Sequence, residues 1–294
     1  MSILTRFLKK STISISSMDS PPVPQPTIEP SPKPKDYRLE GQRRDAFIVE
    51  LVRRQGVITS DLVQLASSHE DFDLPGESRQ ALLNRLTVLA DRGYFHRLGR
   101  TRSGHIAYGT RKPRKGTQPQ VEHDLIGARF GVHLDVALSE RSVGITDLVA
   151  DQAELRLLSQ QQGWQFVPDR IFMLSGVRYF CEWDNDTESP EEKIIPKIEA
   201  YRAYVRRERQ RKEMMEKLGE KVNSFVRVLW VTVNERRAQR LISLMDGNLY
   251  WAAHEGMYLG NPSVVLSPIW KVGRINDDAM HGLLESSERD RSGV

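Results

Sequence analysis

Sulfur is scarce in this chain: 294 residues contain one cysteine, Cys181. A disulfide framework and a cysteine-based zinc site are thereby excluded, and the usage fits a reducing cytoplasm. No apolar run approaches the roughly 20 residues of a membrane-spanning helix, so no membrane partner is expected. A glycine-rich phosphate loop is missing, which argues against an ATPase. HExxH and a Ser/His/Asp constellation are missing too. Charge of one sign is not in large excess: 43 Lys+Arg against 39 Asp+Glu leave +4 at neutral pH. That mild basicity favours polyanionic partners without defining them.

What is present divides into four segments. Residues 1–36 begin MSILTRFLKKSTISISSM, basic and serine-rich without acids, and continue into SPPVPQPTIEPSPKPK. The first part shares its composition with organelle transit peptides but has no apolar block, and reads as a disordered leader. The proline-rich part can form neither helix nor ladder and reads as an extended linker. Residues 37–116 and 117–275 are globular in composition, and 276–294 read as a flexible polar tail.

In the second segment, Phe47, Ile48, Leu51 and Val52 recur at helical spacing within 41–55. Thr59 is placed to cap a short helix over 60–66, with Asp61 in its first turn. A third helix over 77–92 puts Leu82, Leu86, Leu89 and Ala90 on one face, and Gln80, Asn84 and Arg85 on or near the other. A hairpin follows, tipped by the loop GRTRSGH. Three helices and a basic-tipped hairpin form a winged-helix arrangement. A helix fits the B-DNA major groove, where amide and guanidinium groups match base edges, and loop arginines meet phosphates. The candidate DNA contacts are Arg79, Gln80, Asn84, Arg85, Arg100, Arg102 and Lys112, and the partner is double-stranded DNA. His96 and His105 read as surface residues of the hairpin.

The third segment centres on QFVPDRIFMLSGVRYFCEWDNDTESPEEK, residues 165–193. Two apolar, β-branched and aromatic runs flank Ser175-Gly176, a hairpin signal. Counting outward from that turn, Asp169 and Glu182 fall opposite each other on one face, roughly 5 Å apart. A side-chain period of two adds Asp184 to the same face and sends Cys181 into the core on the other. Three converging carboxylates repel unless a cation sits among them, and hard oxygens suit Mg²⁺ or Mn²⁺. Lys197, just after Pro196, lies near the start of the next helix beside this acidic end. It reads either as a group that polarises a nucleophile or as a surface lysine paired with Glu188 or Glu192, with Lys193 a weaker candidate. Glu122 and Glu154 are outer-ligand candidates, and His123 reads as a cap or packed ring. FVRVLWVTV, 225–233, has the composition of a central strand. Helices and strands in this order predict a mixed α/β sheet.

Pro168-Asp169 followed by Glu182-x-Asp184 resembles a variant of the P-D…(D/E)-x-K signature of restriction-endonuclease-like nucleases. Added to it are Glu122-His123-Asp124 opening a helix, Thr187-Glu188, and Lys197-Ile198-Glu199-Ala200-Tyr201. The ordered set, spanning residues 40–272, resembles the replication-relaxation family of plasmid and mobile-element proteins. The family pairs a winged helix with a restriction-endonuclease-like domain. The chain departs from the signature in one place, where Asp184 stands at the usual lysine position. It also has no tyrosine beside a triple-histidine cluster, so a tyrosine-linked DNA intermediate is not expected.

The resemblance implies a cytoplasmic bacterial DNA-binding protein acting in replication, relaxation or mobilisation, with replication or mobilisation proteins as further partners. Two readings of its core stay open. In one, Asp169, Glu182 and Asp184 hold Mg²⁺ or Mn²⁺ and, with Lys197, cleave a phosphodiester. In the other, the core is a degenerate scaffold for homodimerisation or partner docking, in an accessory factor or transcriptional regulator.

Overall fold

Apolar side chains at helical spacing build the first part of the fold. Helix α1 (Tyr37–Gln55) buries Ile48, Leu51 and Val52. After β1 (Val57–Thr59) and α2 (Ser60–Ser67), helix α3 (Arg79–Asp91) buries Leu82, Leu86 and Leu89, the stripe that a 3.6-residue period produces. Strands β2 (His96–Arg100) and β3 (Ile106–Gly109) form a hairpin, and β1 pairs with the far side of β3. Strand β1 is too short to show alternation and was not expected. Its last residue, Thr59, does stand at the N-cap of α2. The hydroxyl makes no capping bond, and the Thr59 backbone is instead part of the small sheet, opposite Ala107.

The computed structural model describes residues 37–68, 79–113, 118–187, 189–217, 225–245, 247–267, 269–273, 280–281 and 283. The leader and linker of 1–36, the Leu74-Pro75-Gly76 turn, Arg114, Lys115 and Glu188 lie outside them.

Helix α4 (Gln118–Glu140) serves two cores. Val121, Leu125, Ala128 and Val132 pack with α1, α2, α3 and the small sheet, while Ile126, Phe130, Leu134 and Leu138 pack against the large sheet. The boundary expected at residue 117 therefore falls immediately before a helix that belongs to both sides. Residues from Tyr37 onward cluster as one compact unit.

The large sheet contains β4 (Thr146–Val149), β5 (Arg170–Leu174), β6 (Val177–Asp184), β7 (Phe225–Thr232), β8 (Gly247–His254), β9 (Trp270–Gly273) and β10 (Met280–His281). Its spatial order is β10-β9-β8-β7-β6-β5-β4, with β7 central and parallel to both β6 and β8, and the remaining pairs antiparallel. This is the expected mixed sheet. Alternation along β6 sends Tyr179, Cys181 and Trp183 into the α4 core. Phe180 goes into the opposite core with residues of α5 (Gln152–Gln162), α6 (Ile195–Lys217) and α7 (Glu235–Leu244). Part of the expected flexible tail belongs to the sheet: β10 pairs with β9, and Leu283 is buried with its carbonyl accepting from Tyr179 Oη at 2.9 Å. Among the described residues, no helix is long and apolar enough to cross a membrane.

Two glycines let α4 approach the sheet. A Cβ on Gly127 would collide with the Trp183 indole, and one on Gly131 with the Arg170 guanidinium and the Gln55 amide. Glycine costs a helix interior about 1 kcal/mol relative to alanine. Here it permits an indole and a guanidinium to lie directly against the helix.

Candidate functional site

Ser175 and Gly176 both have positive φ, 52° and 81°. A two-residue type I′ hairpin requires that pair of left-handed conformations. The register runs from Leu174 opposite Val177 to Arg170 opposite Cys181. The paired register stops there: the Asp169 N–H also donates to the Cys181 carbonyl at 2.9 Å, which sets Asp169 beside Arg170 against Cys181 and not directly across from Glu182, where the spacing predicts it. The two acids are still near enough for Asp169 to act on the Glu182 carboxyl.

Glu182 is 1% exposed. Lys197 and Tyr201, one turn apart on α6, both reach it: Lys197 Nζ donates to Oε2 and Tyr201 Oη to Oε1. Burial pushes the Glu182 carboxyl up to about 8, with Lys197 opposing and the nearby Asp169 reinforcing the shift. Lys197 thus has Glu182 as partner, where the sequence offered Glu188 or Glu192, while Lys193 is exposed.

Asp169 has different company. Its Oδ2 accepts the Trp183 N–H at 2.9 Å and lies 3.5 Å from His123 Nε2. Burial works against its charge, but His123, Lys197 and the Trp183 amide together hold its carboxyl below the ordinary value. Burial likewise works against charge on His123. Hydrogen bonds to Asp124 and Asp169 outweigh it and raise the imidazole to about 10. His123 is neither a cap nor a passive packed ring, since it forms a charged bridge between two carboxylates. The one sequence signal for this was the Glu122-His123-Asp124 triplet.

Asp184 does not join this group. Arg237 on α7 takes it in a buried pair, Nε to Oδ2 at 2.6 Å and Nη2 to Oδ1 at 3.3 Å, while the Asp186 N–H donates to Oδ1 at 2.9 Å. Both side chains are almost fully buried, at 3% and 2% exposure. The expected pocket of three carboxylates on one cation does not form. Among the described residues, no group of three or more His, Cys, Asp or Glu is arranged to hold a metal ion. Mg²⁺ and Mn²⁺ need ionised, accessible oxygens. The donors on both Glu182 oxygens, and the guanidinium on Asp184, do not fit a shared ion.

The outer-ligand candidates stand elsewhere. Glu122 is buried and its Oε1 accepts the Arg102 N–H at 2.6 Å and Gln118 Nε2 at 3.3 Å, which ties the β2–β3 loop to α4. Glu154 is exposed on α5. Cys181 is fully buried, and burial pushes its thiol well up, as befits a core residue.

On the first lobe, Arg79, Gln80 and Asn84 are exposed along α3, away from its buried leucines, and Gln80 Nε2 donates to Asn84 Oδ1 at 2.9 Å. Arg100, Arg102 and Lys112 are exposed as well, with Arg100 Nη1 donating to the Gly104 carbonyl at 3.0 Å across its own loop. Arg85 is the exception. Its guanidinium grips Asp45 of α1 through two nitrogens, Nε to Oδ1 at 2.6 Å and Nη2 to Oδ2, so it fastens α3 to α1. His105 bonds Asp61 of α2 at 2.7 Å.

Between the lobe and the β5–β6 mouth lies a cleft of about 430 Å³, lined by Asp169, Lys197, His123, Arg170, Trp183 and Trp230. Arg53, Arg54, Arg111 and Arg156 also line it, together with Asp124 and Asp151. Glu182 and Asp184 do not line it. Comparison of the chain with protein-family models, with curated proteins and with solved structures finds no match.

Proposed function

We propose that this chain is a DNA-binding protein whose first lobe is a winged helix that reads duplex DNA. Its α/β core is a restriction-endonuclease-like scaffold. The observation that carries the reading is the exposed polar edge of α3, Arg79-Gln80 and Asn84, together with the exposed Arg100 at the end of β2 and Arg102 in the loop that follows it. The element order helix, strand, helix, helix, strand, strand supports it. In the core, α4, strand β4, helix α5, the β5–β6 hairpin, α6 and the parallel strand β7 follow one another; apart from α5, which separates the first strand from the hairpin, this is the order of the nuclease fold that the Pro168-Asp169 and Glu182 motifs resemble. The plasmid or mobile-element setting, the replication or mobilisation partners and a homodimer through the core come from that resemblance. A band shift on random-sequence duplex tests the reading. Binding should weaken with salt and with Arg102→Ala, the latter lowering the salt slope by about one. Duplex affinity independent of salt and of these residues sinks it.

A second reading, Mg²⁺- or Mn²⁺-dependent nicking, rests on the motif resemblance and on Asp169 and Lys197 lining one cleft, while the donors already on Glu182 stand against it. Supercoiled plasmid incubated with protein and either ion separates the two. Nicking that disappears in Asp169→Ala establishes the enzyme, and intact plasmid leaves the scaffold.

A further inference from the structure

The β2–β3 loop is pinned on both of its legs, whereas exposed loops are ordinarily the mobile part of a fold. Near its end β2 bulges between Arg97 and Gly99, and Gly99 takes a φ of 121° that a side chain would resist. A Cβ at Gly99 would lie 3.9 Å from Gln118 Oε1, so the strand passes close to the start of α4. There Gln118 Nε2 donates to the Arg100 carbonyl at 2.7 Å, and Glu122 Oε1 accepts the Arg102 N–H at 2.6 Å. Gln118 Nε2 also donates to Glu122 Oε1 at 3.3 Å, which joins the two side chains into one clamp a helical turn deep. Glu122 is 7% exposed and Thr101, between the two clamped residues, 5%. Inside the loop, the Thr101 N–H donates to the His105 carbonyl at 2.8 Å and the Gly104 N–H to the Thr101 carbonyl at 2.9 Å. On the other leg, His105 Nδ1 bonds Asp61 Oδ1 of α2 at 2.7 Å. The Arg102 backbone is thereby fixed, while the residue itself stays exposed.

We infer that Glu122, assisted by Gln118, is a positioning residue for duplex binding. It holds the Arg102 backbone so that the guanidinium meets a DNA phosphate with little ordering left to do. A loose loop would lose backbone and side-chain freedom on binding, and affinity would fall by that amount. In this fold α4 has already removed that freedom, and α4 is itself packed against the large sheet. The core thus sets the shape of the hairpin tip. The inference rests on the DNA-binding reading above and adds to it two residues that lie outside the surface of α3.

Band shifts of the full chain on random-sequence duplex, over a range of salt, test it. Glu122→Ala should weaken binding about tenfold and lower the salt slope by about one, the same change as Arg102→Ala. In the Arg102→Ala background Glu122→Ala should cost nothing further, because the two act through one guanidinium. A loss that came only from a weakened fold would add instead. Glu122→Gln keeps an acceptor oxygen and should recover most of the affinity, and Gln118→Ala should lose about threefold. Hydrogen exchange of the Arg102 amide should run about tenfold faster in free Glu122→Ala. Should Glu122→Ala fail to fold, Gln118→Ala, at an exposed position, decides through the same cycle with Arg102→Ala. Wild-type affinity in Glu122→Ala, or an undiminished loss in the Arg102→Ala background, overturns the inference. If Arg102→Ala also binds as the wild type does, the DNA-binding reading falls with it. A normal Arg102→Ala loss beside unchanged binding in Glu122→Ala faults the clamp alone.

Discussion

The outer edge of α3 and the mouth of the β5–β6 hairpin both carry polar side chains, under opposite conditions. Gln80 and Asn84 are exposed and, among the described residues, their side chains bond to each other. Glu182 and Asp184 are buried, and each carboxylate is met by donors from a helix distant in sequence, Lys197 and Tyr201 on α6 and Arg237 on α7. Exposure leaves recognition groups cheap to change and open to bind. Burial makes every polar group dependent on its partner, and it turns an acidic motif into a fixed network rather than an open ligand set. The cleft beside the mouth combines both conditions, with the nearly buried Arg170 among the residues that line it.

The largest difference between the regions should appear when a buried partner is removed. Arg237→Met takes the guanidinium away from Asp184, whose side chain is 2% exposed and keeps only the Asp186 N–H of the bonds described above. It should cost about 3–5 kcal/mol in urea unfolding, much of it recovered by adding Asp184→Leu. Full stability in the single variant would place Asp184 with the exposed edge of α3 and not with the mouth.

Next in size is a pH dependence at the mouth. Glu182 is raised from 4.5 to about 8, so the folded state holds its proton longer than the unfolded one, and stability falls as pH rises through that interval. His123 is raised from 6.5 to about 10, so its contribution is full below 6.5 and is lost as pH climbs to about 10. Asp169 is lowered from 3.8 and acts at the other end, its contribution disappearing as pH falls below that value. Unfolding free energy should therefore decline between pH 5 and 10 by on the order of 2 kcal/mol for each raised group. His123→Gln should flatten only the alkaline part of that decline. A flat profile in the wild-type protein would remove the charged bridge between Asp124 and Asp169.

The smallest stability effects belong to α3. Gln80→Ala and Asn84→Ala should stay within about 0.5 kcal/mol of wild type while lowering duplex affinity. Arg85→Ala should do the reverse, costing up to about 1 kcal/mol by releasing Asp45 and changing affinity little. Equal affinity losses for Arg85 and Asn84 would dissolve the distinction between a reading residue and a fastening one.

Much of the mouth could be read from the chain because its rules are local. A Ser-Gly pair between two apolar runs sets the turn, and the turn sets a register that holds as far as Arg170 opposite Cys181. Pro196 marks the start of α6, and Lys197 follows beside the acids. Most readings that failed concern partners brought in by other elements. Arg237 takes Asp184 from α7, Asp45 takes Arg85 from α1, and His123 comes to Asp169 from α4. Short strands escaped for a related reason. Val57–Thr59 and Met280–His281 have too few residues to alternate, and they are strands only because a neighbour offers an unpaired edge.

By itself, the sequence determined the elements whose signals repeat within a few residues. These are the helices of the first lobe, the β5–β6 hairpin, the apolar β7 strand and the absence of a long apolar span. The tertiary structure alone decided which charges meet. Ion pairing depends on distances between chain segments far apart in sequence, and periodicity carries no information about those distances. For that reason three acids in one motif became a lysine-bound glutamic acid, a histidine-bound aspartate and an arginine-bound aspartate.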